Sequence, residues 1–390
     1  MSDDVLLTFN AGSSTLKIGV FELATEGARN VGRGKIDFDQ SPLMLRYSIG
    51  TDRYEKTIRG DNGTQFVSVI SDTLDHLLAH LPGKLRAVAH RVVHGGMAFQ
   101  EAVLLDEAAI KRIEKLVPLA PLHQPQAVRA IRSMQMLRPD VQQTASFDTA
   151  FHSSQADVVR RLAIPRAMHD DGVRRYGFHG LSYKYIAAKL REIDPEAAKG
   201  KVVTCHLGSG ASLCAMENGT SRDTSMGFSA LDGIPMATRP GWLDPGALLY
   251  LMRTGKQQPE RIEDFLYHQC GLLGVSGISG DTRVLLDDKS PDAAEAIDLF
   301  CLRISGEIGR LCATTGGLDA IVFTAGIGEN QPEIRTRVAR RLQWLGIEID
   351  EDANDSNLTS INAASSRVKL FVIPTDEERV IAEEAHALIA

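Results

Sequence analysis

The chain has 390 residues, 43% of them hydrophobic and 24% charged, with a formal net charge of −7. This is enough apolar material for two or three packed domains. The lack of a basic surplus argues against nucleic acid as a partner, and no apolar run reaches the roughly 18 residues of a membrane span.

Val5–Leu23 reads as two strands around a small-residue turn: VLLTF is apolar, Asn10–Thr15 turns the chain, and LKIGVFEL is β-rich. Residues 66–81 carry apolar side chains at spacings of three and four, which predicts a helix. Leu85–Val93 is a strand candidate, 103–116 and the stretch after Pro125 read as helices, and Val141–Phe147 as another short strand. Asp319–Thr324 is a buried-strand run, followed by a glycine turn and a helix opened by Pro332, with Ile334, Val338 and Leu342 on one face. Strands alternating with helices predict an α/β architecture. The N-terminus lacks the basic start of a secretory signal. The five cysteines form no CxxC pair, which predicts free thiols in a reducing cytoplasm.

A weak internal repeat stands out. Thr8-Phe9-Asn10-Ala11-Gly12-Ser13 aligns with Thr204-Cys205-His206-Leu207-Gly208-Ser209, and each follows a Val/Leu run and continues into strand-like residues. Two such hairpins suggest a duplicated domain with a nucleotide in the cleft between the halves, each hairpin facing phosphates.

Individual motifs are ambiguous. In Asn10–Thr15 with Lys17, glycine admits backbone N–H groups close to a phosphate and the polar side chains add donors, yet a plain polar turn fits equally well. No GxxxxGK[ST] loop occurs, and the glycine pairs at 208–210 and 326–328 lack the third glycine of a dinucleotide fingerprint. Gly326-Ile327-Gly328-Glu329-Asn330 lies between strand and helix, where a phosphate or ribose fits a helix N-terminus. Arg91 and Arg239 sit in apolar or glycine-rich company and need anionic partners, either an internal carboxylate or a substrate. His123, Asp148 and His179, each taken alone, read more readily as structural residues than as catalytic ones, and no serine or cysteine nucleophile stands beside an obvious base.

Taken together, VLLTFNAGSSTLK, AHRVVHGG, PLHQP, SFDTAFH, RRYGFHGLS, HLGSGASL, DTSMGFSALDG, TRPGWLDPG, FTAGIGENQPEIR and IPTDEE run in one order from Val5 to Glu378. This series resembles the acetate kinase family, within the superfamily of acetate and sugar kinases, heat-shock chaperones and actin. The resemblance implies two duplicated actin-like (ribonuclease H-like) α/β domains, residues 1–150 plus 375–390 and residues 151–374, with a nucleotide cleft between them. It implies reversible phosphoryl transfer from ATP to acetate, giving acetyl phosphate and ADP, with Mg²⁺ or Mn²⁺ in its place. A cytoplasmic homodimer, contacting through the second domain, belongs to the same picture.

Residue by residue, the resemblance implies that Asn10 and Glu377 position the metal. Ser13, Thr15 and Lys17 lie in the phosphate region, as do His206, Gly208, Ser209 and Gly210 of the second hairpin. Asp281, Thr282, Arg283, Gly326, Ile327, Gly328, Glu329 and Asn330 face the nucleotide. Arg91 and Arg239 hold the acid and the moving phosphoryl group, His179 hydrogen-bonds that group, and His123 and Asp148 support them. Val93, Leu122 and Phe178 line the pocket for the acid's methyl group, with Ala230 at its alkyl end. The sequence departs from the usual family pattern at Ser209 (for Asn), Ala230 (for Pro), Thr282 (for Phe) and Asp376 (for Asn).

A carboxylate nucleophile is already ionised near neutral pH and needs no general base, so alignment and charge neutralisation remain for the protein. Direct in-line attack is favoured over a phospho-Glu377 intermediate. The competing readings are a propionate or butyrate kinase of the same family, a related sugar kinase, which would need a base, and a non-catalytic actin-like ATP-binding protein.

Overall fold

The computed structural model describes residues 4–12, 15–61, 63, 65–255 and 258–389. The chain separates into two compact units, one of Met1–Phe151 with Asp376–Ala390 and one of His152–Thr375.

The first unit is built on eight strands: β1 (Asp4–Ala11), β2 (Thr15–Ala24), β3 (Gly27–Asp37), β4 (Met44–Ile49), β5 (Asp52–Thr57), β6 (Lys84–Val92), β7 (Val103–Leu104) and β8 (Gln142–Phe147). They form one sheet in the order β5-β4-β3-β2-β1-β6-β8-β7. The expected hairpin is present, with Asn10 opposite Lys17 and Ala11 opposite Leu16, closed by Gly12 N–H to Thr15 O at 2.8 Å. β1 and β6 are parallel, as are β6 and β8, and both β1 and β6 are central, which is why they read as near-continuous apolar runs. The helix Phe66–Leu78 buries Phe66, Val69, Ile70, Thr73, Leu74 and Leu77, the stripe its spacing predicts. Each such aliphatic side chain contributes about 1.5–3 kcal/mol of burial. The helix Glu377–Ile389 returns to pack on β1, β2, β3, β6 and β8.

Residues 103–116 are not one helix. Val103 and Leu104 pair antiparallel with Ala145 and Thr144, and the helix starts at Glu107, where the Asp106 carboxylate accepts from Ala109 N–H at 2.7 Å.

The second unit has five strands: β9 (Lys201–Leu207), β10 (Ala211–Glu217), β11 (Thr220–Thr224), β12 (Ala320–Thr324) and β13 (Lys369–Val372), ordered β11-β10-β9-β12-β13. β9–β10 is the second hairpin, with Leu207 opposite Ala211; β12 runs parallel to both β9 and β13. The order and directions repeat β3-β2-β1-β6-β8 of the first unit, so the short repeat marks a duplicated fold of two actin-like α/β units. The helix Pro291–Thr315 covers this sheet, started by the Ser290 hydroxyl accepting from Ala293 N–H and ended by Gly316 at φ 68°.

The glycine turn after β12 is itself a short helix, Ala325–Asn330, entered through Ala325 at φ 64°. Its first N–H is held by the Glu329 carboxylate at 2.8 Å, which lets the chain coil where the glycines alone suggest a loop.

Candidate active site

In the first unit the carboxyl ends of three adjacent parallel strands bring Asn10 (end of β1), Arg91 (end of β6) and Asp148 (just after β8) together. Ligands of open α/β sheets bind at such ends. Arg91 Nε donates to Asp148 Oδ1 and Oδ2 at 3.1 and 3.2 Å, and Nη2 to Oδ2 at 2.6 Å, while Nη1 donates to Asn10 Oδ1 at 3.0 Å. The Asn10 amide donates onward to Glu377 Oε2 at 3.1 Å and Glu378 Oε1 at 3.0 Å, at the start of the returning helix. Burial alone would lower the Arg91 pKa, but Asp148, Glu377 and Glu378 raise it, so this guanidinium stays charged. The Arg91 side chain is 17% exposed and Asp148 1%.

Around this network Gln124 ties two segments together. Its Oε1 accepts from His94 N–H at 3.1 Å and its Nε2 donates to His94 O at 3.0 Å, which anchors the strand end bearing Val93 to the loop of Leu122 and His123. Val93 is buried; Leu122 and His123 are half-buried. Thr15 is half-buried and Lys17 exposed, both on β2; Ser13 lies outside the described residues.

In the second unit His179 precedes the helix Gly180–Ile193 at φ 57°, a left-handed conformation unusual for a side-chain-bearing residue. The strain is absorbed by its surroundings. Gly177, at φ 80°, leaves room for the His152 ring, which a Cβ would meet at 2.6 Å. His152 Nε2 donates to Phe178 O at 3.0 Å. Burial lowers the His152 pKa to about 4, so it is a neutral support. Phe178 is buried beneath this turn.

His179 stacks on His206, ring centroids 4.2 Å apart and planes within 18°. His179 Nδ1 bonds Ser212 Oγ at 2.8 Å, and His206 Nδ1 bonds Ser182 Oγ at 2.8 Å. At the hairpin turn Gly208–Gly210, a Cβ on Gly210 would lie 3.5 Å from His179 Nε2 and 3.7 Å from Arg239 Nη1. One imidazole edge and one guanidinium therefore border the same small space, beside exposed Ser209.

Arg239 is unlike Arg91. Its Nη1 donates to Ala230 O at 3.3 Å, its Cζ lies 5.6 Å from the Tyr267 ring centroid, and among the described residues of its unit no carboxylate bonds it. Burial lowers its pKa, and Tyr267 only partly offsets this. The loop that carries it needs Gly271, φ 62°, since a Cβ there would come within 2.2 Å of Met236 O. A half-buried cation with no acidic partner among the described residues of its unit suits an anionic ligand.

The remaining nucleotide candidates are placed as follows. Asp281 caps the helix Thr282–Asp287 through Arg283 N–H at 2.9 Å and ion-pairs with the Arg283 side chain at 2.6 Å, leaving Thr282 buried. Gly326 and Asn330 are exposed, Ile327 and Glu329 half-buried and Gly328 buried. Glu329 Oε1 turns inward, accepting from Ala325 N–H and, at 3.1 Å, from Thr375 N–H. Sequence reasoning did not single out Glu378, Gln124, Ser182, Tyr183, Ser212 or Thr375 as site residues, although all but Tyr183, which directly follows RRYGFHGLS, stand inside quoted motifs.

The model of the acetokinase family matches residues 5–383. The chain belongs to the acetokinase family. A relative described as acetate kinase, from Nitrobacter hamburgensis, is 45% identical, over 99% of this chain and 96% of its own. Among solved structures, a propionate kinase from Francisella tularensis superposes with a TM-score of 0.90 at 33% identity, covering 100% of both chains. An acetate kinase from Porphyromonas gingivalis does so at 0.88 and 32%, covering 99% of this chain and 100% of its own. Within this acetokinase-family chain, Asn10 at the end of β1 stands where His206 stands at the end of β9. No helix among the described residues is long and apolar enough to cross a membrane.

Proposed function

We propose that this chain transfers the γ-phosphoryl group of ATP to acetate, reversibly, giving acetyl phosphate and ADP. The observation that carries this reading is Arg239, a cation without an acidic partner among the described residues of its unit, bordering with His179 Nε2 the space over Gly210. Two donors there suit phosphoryl oxygens on which charge is spread. Arg91 acts differently: held by Asp148 and Asn10, it offers a fixed positive charge toward the acid and the moving phosphoryl group. His179 hydrogen-bonds that group, and His123 and Asp148 hold the supporting geometry. The acid's carboxylate attacks phosphorus directly, in line with departing ADP, so Glu377 carries no phosphoryl group.

Residues near Glu377 fit a hard divalent cation. Glu377 and Glu378 present carboxylates that both accept from the Asn10 amide. Such hard oxygen donors suit Mg²⁺, which keeps several waters and binds phosphate oxygens, or Mn²⁺ in its place. Glu377 would hold the ion with Asn10 orienting it, and the bound ion would neutralise charge on the phosphate chain.

We assign nucleotide binding to the second domain (151–374), through His206, Gly208–Gly210, Asp281–Arg283 and Gly326–Asn330, with Thr15 and Lys17 of the first domain (1–150 plus 375–390) on the phosphates. Val93, Leu122 and Phe178 receive the methyl group. Ala230, beside Arg239, leaves room at the alkyl end, so propionate is a second, poorer substrate. The second domain would also make the homodimer: the helix Pro245–Gly255 has no buried residue, and Trp242, Leu243, Leu249 and Tyr250 are exposed. The free cysteines fit a reducing cytoplasm.

Replacing Arg239 with Ala tests the reading. Acid-dependent turnover should fall about 10²–10³-fold, the scale of a lost transition-state donor, with the melting temperature retained. Near-normal turnover overturns the assignment.

A further inference from the structure

The two stacked imidazoles are wired alike. His179 Nδ1 meets Ser212 Oγ at 2.8 Å, and Ser212 Oγ meets the Tyr183 hydroxyl at 2.5 Å. His206 Nδ1 meets Ser182 Oγ at 2.8 Å, and Ser182 Oγ accepts from Thr375 Oγ1 at 2.9 Å. Ser182, Tyr183 and Ser212 are fully buried, and the Tyr183–Ser212 and Ser182–His206 bonds are buried with them; His179 and Thr375 are half-buried.

A serine hydroxyl has one hydrogen to donate. Ser182 already accepts from Thr375, so its own hydrogen is left for His206 Nδ1. Between Tyr183 and Ser212, the phenol is the stronger donor, being the more acidic hydroxyl. Tyr183 therefore donates to Ser212, and Ser212 to His179 Nδ1. Each Nδ1 is then an acceptor, and the ring proton of each neutral imidazole must sit on Nε2. A stack at 4.2 Å also favours two neutral rings over two cations.

We propose that Tyr183–Ser212 and Thr375–Ser182 are paired hydroxyl relays that fix His179 and His206 as Nε2–H tautomers, with the His179 Nε2–H turned toward the space over Gly210. Ser182, Tyr183, Ser212 and Thr375 are positioning residues. They touch no reacting atom, and they decide which ring nitrogen presents a hydrogen. The His206 stack and the Ser212 hydrogen bond at Nδ1 both oppose rotation of the His179 ring about χ2. Thr375 N–H bonds Glu329 Oε1, so the His206 relay is continuous with the short helix Ala325–Asn330.

The inference rests on the functional reading only for its consequence in turnover. The tautomer is measurable without activity. Protein labelled with ¹⁵N-histidine is observed at pH 8 by long-range ¹H–¹⁵N correlation, with His179→Asn and His206→Asn assigning the two rings. The relays predict a pyridine-type Nδ1 and a pyrrole-type Nε2 in both. Tyr183→Phe should move His179 toward a mixture of tautomers and leave His206 unchanged; Thr375→Val should do the reverse. In turnover, Ser212→Ala should lower kcat about tenfold with KM for acid and ATP within about twofold, since an outer hydrogen-bond partner orients a group without binding substrate. Ser212→Thr, which restores a hydroxyl, should recover the tautomer.

Protonation of either ring at Nδ1 in the unsubstituted protein overturns the proposal, whatever the turnover. So do unchanged nitrogen shifts in Tyr183→Phe and Thr375→Val. If the unsubstituted protein shows the expected tautomers but turns over no acid, the functional reading fails and the relays stand.

Discussion

Replacing Asp148 with Asn removes one charge from the most buried ion pair of the first unit and changes almost no volume. Asp148 accepts three hydrogen bonds from Arg91, at 2.6, 3.1 and 3.2 Å, and its side chain is 1% exposed. Breaking a buried pair by removing one partner costs about 3–5 kcal/mol, because the remaining charge is left uncompensated. Arg91 is 17% exposed and still feels Glu377 and Glu378, so the lower end, about 3 kcal/mol, applies. For a unit of roughly 150–250 residues this is a fall of about 6–12 °C in the melting temperature. An amide at position 148 keeps one acceptor oxygen for Arg91 and sets an N–H against its other donor, so the guanidinium loses its bidentate geometry and turnover should fall about 10–100-fold. The assay is thermal unfolding and acid-dependent turnover of Asp148→Asn, Arg91→Gln and the double variant. The pair should show a coupling of about 1.5 kcal/mol or more in stability. Additivity within about 0.5 kcal/mol, or an unchanged melting temperature in Asp148→Asn, would refute the reasoning.

His90, His94 and His152 are buried and each has its pKa lowered to about 4 by burial, against 6.5 unfolded. Folding therefore disfavours their charged forms: their stability contribution is complete above pH 6.5 and is lost as pH falls toward 4. Between pH 7 and 5 each should cost about 2 kcal/mol, read from denaturant midpoints; a flat profile would count against their burial as neutral rings. Cys205→Ala should retain most activity, since burial raises that thiol's pKa and no thiolate is available; loss of turnover without loss of fold would give the thiol a role. Glu377→Gln should raise the Mg²⁺ concentration for half-maximal rate while keeping a measurable maximum. Complete loss at every Mg²⁺ concentration would point instead to a covalent intermediate.

How much of this was legible in the sequence depends on the length scale of each feature. The β1–β2 and β9–β10 hairpins declared themselves, because apolar runs flank short polar turns and because Thr8 and Thr204 open matching segments. β3, β4 and β5 did not. Their residues alternate weakly, β3 carries Gly27, Gly32 and Gly34, and β5 is almost wholly exposed, so no single face marks them. The short helix at Ala325–Asn330 was hidden because its glycines read as a turn, while the Glu329 carboxylate that starts it sits at the far end of the same segment. Asn10 and Glu378, which share a hydrogen bond, are 368 positions apart, and no local pattern joins them. The difference between the two arginines was also out of reach: both stand in apolar company, and only the folded chain pairs Arg91 with Asp148 while giving Arg239 a carbonyl and a ring.

The central claim is that a short carboxylic acid is the phosphoryl acceptor. Trapping acyl phosphate as hydroxamate, with ATP, Mg²⁺ and a panel of acetate, propionate and butyrate, tests it most directly. The geometry around Arg239 and Ala230 predicts product with acetate, less with propionate, and little with butyrate, because one methylene changes binding in an apolar pocket by only about 1–3 kcal/mol. Bound ATP with no hydroxamate from any acid would contradict the claim outright, and a preference for butyrate over acetate would contradict the assignment of the pocket.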